Sequence, residues 1–177
     1  MIAKTQKIKL LIIVIFFAFA SLLLNNFKSQ SKLAGPTLGL SPAVLSVSAD
    51  SIFNIDITLD TKGLAIDGVD VYSLRFDPAK LEVVQVVQGT LMPVTVANKV
   101  NNKLGTIMFS QVTNGGTTYT GAGNLATIVF KTKATGDVFV KFDFTPGKST
   151  DTNISSGGVD KLAAVINGTY KIVNVTR

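Results

Sequence analysis

Ile52-Phe53-Asn54-Ile55-Asp56-Ile57-Thr58-Leu59-Asp60 is the stretch that decides the fold class. Phe53, Ile55, Ile57 and Leu59 alternate with Asn54, Asp56, Thr58 and Asp60, so an extended chain here puts its apolar side chains on one face and its polar ones on the other. A helix would scatter them around its axis. Working outward, Val44–Ser48, Val69–Phe76, Leu81–Gln88, Thr106–Val112, Leu125–Lys133, Asp137–Phe144 and Gly168–Val173 carry the same signal in Val, Ile, Phe and Thr. Turn clusters separate most of them: Lys62-Gly63, Asp77-Pro78, Asn114-Gly115-Gly116, Gly121-Ala122-Gly123 and Pro146-Gly147. No convincing helical run follows Val44. Eight or nine short strands without helices to cover a parallel sheet predict an all-β fold, an antiparallel two-sheet β-sandwich.

The amino terminus obeys different rules. Lys4, Lys7 and Lys9 precede Leu10–Leu24 (LLIIVIFFAFASLLL), an unbroken and largely apolar run. As a helix it reaches about 22 Å at ~1.5 Å per residue, short of a ~30 Å hydrocarbon core. Its length is also the upper end of a secretory apolar region, and Ala18-Phe19-Ala20 offers a cleavage pattern before Ser21. Leu22-Leu23-Leu24 prolong the apolar stretch past that point, and Lys9 and Lys28 are placed to snorkel. Cleaved signal and signal-anchor helix both remain open, the anchor with membrane contact through residues 10–24. Either one puts the chain after Phe27 on the extracellular side of the cell membrane, tethered there or secreted. Lipid attachment is excluded, because there is no Cys to acylate. The division expected is 1–27 signal or anchor, 28–42 tether, and 43–177 sandwich.

Composition removes whole classes of function. The 177 residues contain no Cys, His or Trp, which rules out His-based triads, thiolate nucleophiles and ordinary zinc or haem sites. Ten Asp and one Glu (Glu82) supply the acids, and no spacing singles out a glycosidase pair. The net charge of +6 is localised: residues 1–32 hold five Lys and no acid, and the rest sets twelve basic residues against eleven acidic ones. Without a clustered basic face, no nucleic-acid partner is expected. Asp60, Asp67 and Asp70, like Asp151 and Asp160, sit among glycines. Their spacing does not match an EF-hand loop, and they read as turn formers. No cofactor or metal is implied. Asn153-Ile-Ser, Asn167-Gly-Thr and Asn174-Val-Thr are formal glycosylation sequons that arise easily in a chain rich in Asn and Thr. Direct polysaccharide binding is disfavoured, since sugar platforms stack on aromatic rings, Trp above all.

One ordered set of motifs goes further. Leu59-Asp60-Thr61-Lys62-Gly63 leads into Gly68-Val69-Asp70-Val71-Tyr72-Ser73-Leu74-Arg75-Phe76-Asp77-Pro78-Ala79-Lys80-Leu81-Glu82-Val83-Val84. Then come Gly89-Thr90-Leu91, Gly105-Thr106-Ile107-Met108-Phe109-Ser110, and Gly121-Ala122-Gly123-Asn124-Leu125-Ala126-Thr127-Ile128-Val129-Phe130-Lys131. Pro78 ends a strand by lacking an N–H for the ladder, and Gly121 and Gly123 permit a sharp turn before Ala126, Ile128 and Phe130 face inward. This order closely resembles the cohesin domain, from about Leu40 to Val173. The resemblance implies a nine-stranded jelly roll without catalytic activity, whose sheet face binds the dockerin module of a partner in assemblies that degrade polysaccharides or sit at the cell surface. The fold is also similar to certain carbohydrate-binding modules, so a carbohydrate-binding or adhesin-type domain is the alternative. Val69 and Val71 depart from the family, occupying places where well-studied members carry polar dockerin-contacting residues.

Alternation then predicts the docking surface. With Tyr72, Leu74 and Phe76 turned to the core, Val69, Val71, Ser73 and Arg75 face outward. With Ile107 and Phe109 inside, Met108, Ser110 and Val112 lie outside. With Val138, Val140, Phe142 and Phe144 inside, Phe139 and Lys141 are exposed. In the family these strands are neighbours in one sheet, so Val69, Val71, Met108, Val112 and Phe139 would form an apolar stripe rimmed by Arg75 and Lys141, as protein interfaces are. A β-bulge in any strand would invert its faces beyond that point.

Overall fold

The computed structural model describes residues 35–174. The expected apolar helix, the 1–27 segment and residues 28–34 of the 28–42 tether lie outside them. Among the described residues there is no helix, and thirteen strands form two sheets packed face to face.

The smaller sheet contains β1 (Thr37–Ser41), β3 (Ile52–Asp60), β5 (Leu81–Gln88), β8 (Ala122–Thr132) and β12 (Ala164–Ile166), in the order β12-β1-β3-β8-β5. The larger contains β2 (Val44–Ser48), β4 (Gly68–Arg75), β6 (Val94–Asn101), β7 (Thr106–Val112), β9 (Gly136–Phe142), β10 (Asn153–Ser156), β11 (Val159–Asp160) and β13 (Gly168–Val173). Strand β4 is its centre. One edge of β4 pairs with β7, which carries β6 beyond it. The other edge pairs with β10 over Gly68–Asp70 and with β9 at Leu74 and Arg75. Strands β13 and β2 continue outward from β9.

Two features differ from the sequence reading. The sheets are mixed, since β1 pairs with β12 and β2 with β13 in parallel. The chain changes sheets at Ser41-Pro42, a cis peptide, so β1 lies in the smaller sheet and β2 in the larger. Thr37–Ser41, read as tether, is therefore a sheet strand that pairs with Asp56–Asp60. Its five residues are flanked by Gly35-Pro36 and Pro42, too short for alternation to declare it.

The inward faces do follow alternation where strands run regularly. Phe53, Ile55, Ile57 and Leu59 are buried, and so are Ala126, Ile128 and Phe130. Phe130 anchors an aromatic cluster, stacked on Phe53 at 5.7 Å between centroids and edge-on to Phe76 at 5.4 Å. Tyr170 joins from β13 at 5.8 Å from Phe53, its hydroxyl donating to the Pro42 carbonyl at 3.0 Å. Burial pushes that phenol above its usual value of 10, so it stays a neutral donor.

Candidate docking face

The outer face of β6-β7-β4-β9 is built by two strands of simple alternation, β7 and β9, and two that break it, β4 and β6. On β7, Ile107, Phe109 and Gln111 are buried while Met108, Ser110 and Val112 lie half-buried on the outer face. On β9, Val138, Val140 and Phe142 are buried while Phe139, 51% exposed, and Lys141 project outward. Strand β4 is different. Val71 pairs with Phe109 and Leu74 with Ile107, so three steps along β4 answer two along β7. The extra residue is a β-bulge, and it inverts the facing of everything on one side of it.

The bulge corrects part of the predicted surface. Val69 and Val71 are 2% and 0% exposed and belong to the core. Ser73 is buried at 7%, its carbonyl accepting the Asp143 N–H at 2.8 Å. Tyr72, expected inside, is 49% exposed. Leu74 and Phe76 remain in the core and Arg75 remains outside, because they lie beyond the bulge on the side from which the alternation was counted. The departure of Val69 and Val71 from the polar pattern of the family thus falls on the inner side of the sheet. Of the predicted surface residues, the structure gathers Arg75, Met108, Ser110, Val112, Phe139 and Lys141 on one face.

That face also holds residues the alternation did not reveal. Strand β6 places Val94, Ala97, Lys99 and Asn101 opposite Val112, Ser110, Met108 and Thr106. Alternation does not mark this strand, because its own register shift between Thr95 and Ala97 breaks the period after Val94-Thr95-Val96. Its exposed side chains include Val96 at 66%.

Polar contacts fix the geometry. The Ser110 hydroxyl donates to Asp70, its cross-strand partner. Arg75 Nη2 donates to Asp143 Oδ2 at 3.1 Å. Lys141 Nζ sits 4.7 Å from the centroid of the Phe139 ring, a cation–π contact that covers one side of it. Three shallow depressions result. One of about 420 Å³ lies between Tyr72, Arg75, Lys99, Asn101, Thr106 and Met108. A second of about 430 Å³ lies between Arg75, Asp77, Lys80, Asp137, Phe139 and Lys141. A third of about 230 Å³ is lined by Asp70, Val96, Ser110, Val112, Asn153 and Ser155.

The turn aspartates are engaged in holding loops. Asp67 Oδ2 accepts the Gly157 N–H at 2.6 Å, and the Ser155 hydroxyl is the main cause that holds its carboxyl below the usual 3.8, followed by opposing burial and then Gly157. Asp160 Oδ1 accepts from Ile154 and Leu162, and Asp151 Oδ2 from Thr145. Among the described residues no three acidic side chains gather as a metal site.

Comparison with known proteins places this architecture. No protein of curated function matches the chain in sequence. Among solved structures it is similar to the seventh ScaB type I cohesin of Pseudobacteroides cellulosolvens, at 20% identity and a TM-score of 0.63 over 81% of this chain and 95% of that one. It is similar also to the non-cellulosomal cohesin of the archaeon Archaeoglobus fulgidus, at 18% identity and 0.60 over 79% and 92%. The third cohesin of ScaC from Acetivibrio cellulolyticus, solved with the ScaB dockerin, aligns at 19% identity and 0.62 over 78% and 99%. At these identities the structures speak for the fold. The family model of the cohesin domain matches residues 40–176, most of the chain, and the chain belongs to the cohesin domain family.

Proposed function

We propose that this chain is an exported, non-catalytic protein-binding module that docks a dockerin, or another extracellular protein, on the outer face of β6-β7-β4-β9. The observation that carries this reading is the face itself: Tyr72, Met108, Val112 and Phe139 expose apolar surface, rimmed by Arg75, Lys99 and Lys141, in a member of the cohesin family. An apolar centre with a polar, charged rim is the anatomy of a protein interface. The Acetivibrio cellulolyticus relative is solved with a dockerin, which supports that class of partner. Assembly of polysaccharide-degrading enzymes at the cell surface is the setting that such a partner suggests. The amino-terminal Lys cluster and apolar run support export, with the module tethered to the membrane or released after cleavage.

The test is capture of a panel of dockerin modules by the full chain in detergent, with amide-exchange protection mapped on the captured complex. Protection is expected on β4, β7 and β9; protection confined to the smaller sheet would overturn the assignment. Protease added to intact cells should digest the domain, and protection until lysis would contradict export. No hydrolysis of polysaccharides or simple esters is expected. Turnover abolished by Glu82→Gln or by a single Asp→Asn change would argue for an enzyme instead.

A further inference from the structure

The three depressions of the docking face differ in charge. The one between Phe139 and Lys80 is mixed, with Asp77 and Asp137 among its walls beside Lys80, Lys141 and Arg75. The one beside Val96 has Asp70 and no base. The one between Tyr72 and Met108 is lined by Lys99 and Arg75 and by no acid.

Those two cations reach the depression from strands on either side of β7, with Lys99 opposite Met108 and Arg75 opposite Thr106. Arg75 spends Nη2 on Asp143, while the Lys99 ammonium makes no hydrogen bond or ion pair among the described residues. Of the acids on the face, Asp143 partly neutralises Arg75 through this ion pair and Asp70 takes the Ser110 hydroxyl, which leaves the Lys99 ammonium as the unpaired charge of the depression.

We propose that the Tyr72–Lys99–Arg75 depression selects a carboxylate: the partner seats an Asp or Glu side chain there, flanked by apolar residues. This rests on the docking reading above and adds the partner's chemistry. The carboxylate takes charge-assisted hydrogen bonds from the Lys99 ammonium and the free donors of the Arg75 guanidinium. Its aliphatic neighbours pack on half-buried Met108 and the Tyr72 ring. A partner Lys or Arg at this position meets like charge and is rejected, so the depression contributes selectivity as well as attraction. Because it is shallow and wet, the interaction is strongly screened by salt.

The experiment uses the full chain, ¹⁵N-labelled in detergent micelles, titrated with three peptides: acetyl-Ala-Leu-Asp-Leu-Ala-amide and its counterparts with Asn or Lys at the centre. The Asp peptide should shift the amide resonances of Tyr72, Lys99 and Met108 and saturate, with the Asn peptide about fivefold weaker and the Lys peptide weaker still. Lys99→Glu should weaken the Asp peptide about tenfold, as attraction turns to repulsion, while Lys131→Glu on the opposite sheet leaves it unchanged. Raising NaCl from about 50 to 300 mM should erase most of the preference for Asp over Asn. Equal response to all three peptides, preference for Lys, or no shift at these residues would overturn the inference. Docking is scored separately. A dockerin module captured equally by the wild-type chain and by Lys99→Glu with Arg75→Glu would refute the carboxylate preference and leave the docking face standing.

Discussion

Val71→Asp is the substitution that tests the bulge in β4. Val71 is 0% exposed, packed against the inner face of the sandwich, and pairs with Phe109 in the ladder. Replacing it removes the burial of a Val side chain, about 1.5–3 kcal/mol. It also leaves a carboxylate, or its protonated form, in the apolar interior, where the penalty after relaxation is several kcal/mol more. Together these exceed about 5 kcal/mol, the lower bound of total stability for an ordinary domain. Tyr72→Asp and Phe139→Asp are the matched controls, because both side chains are about half exposed and each should cost only about 1 kcal/mol of fold stability. Urea unfolding of the full chain followed by circular dichroism reads all three. The expected result is that Val71→Asp is unfolded or shows no cooperative transition, whereas the controls keep midpoints close to the parent. A Val71→Asp chain that melts like the parent, with Tyr72→Asp collapsing instead, would mean that β4 runs without a bulge and that the face is assigned with inverted parity.

Further outcomes follow from the same packing. Gly105→Ala should destabilise the domain by more than about 2 kcal/mol in the same assay, because φ is +66° and the new Cβ would lie 2.1 Å from the Phe76 carbonyl oxygen. Asn102→Ala should cost about 1–3 kcal/mol, since its amide accepts the Val83 N–H at 2.8 Å and donates to the Val83 carbonyl at 2.9 Å, satisfying the open edge of β5 at its bulge; an unchanged urea midpoint would contradict that role. The Asp67 carboxyl is held low in the fold, so its contribution is present above the unfolded value near 4 and is lost as pH falls through the folded one. Asp67→Asn should therefore flatten the fall of thermal midpoint below about pH 4, and an acid limb identical to the parent's would remove Asp67 from the account.

Much of this molecule is legible without coordinates, and the division has a physical basis. Period-two alternation in Ile52–Asp60, Thr106–Val112 and Asp137–Phe144 specifies strands and their buried faces directly, because side-chain direction in a regular strand is a purely local consequence of backbone geometry. The ordered turns and Phe76-Asp77-Pro78 corner identify the family on the same local grounds. Three features are decided only by tertiary structure. The bulge between Val71 and Leu74 depends on how β4 meets β7, and nothing in Val71-Tyr72-Ser73-Leu74 announces an added residue, so Val69 and Val71 move inward and Tyr72 outward. The short strand Thr37–Ser41 exists because β3 and β12 supply partners on both sides, a long-range condition that five residues cannot express. The cationic depression needs Lys99 from an edge strand beside Arg75 from the central one, 24 residues apart in the chain and joined only through Met108 and Thr106 of the strand between them. Side-chain alternation is encoded residue by residue, whereas register and strand adjacency are properties of pairs of distant segments, and those pairs decide which chemistry faces the partner.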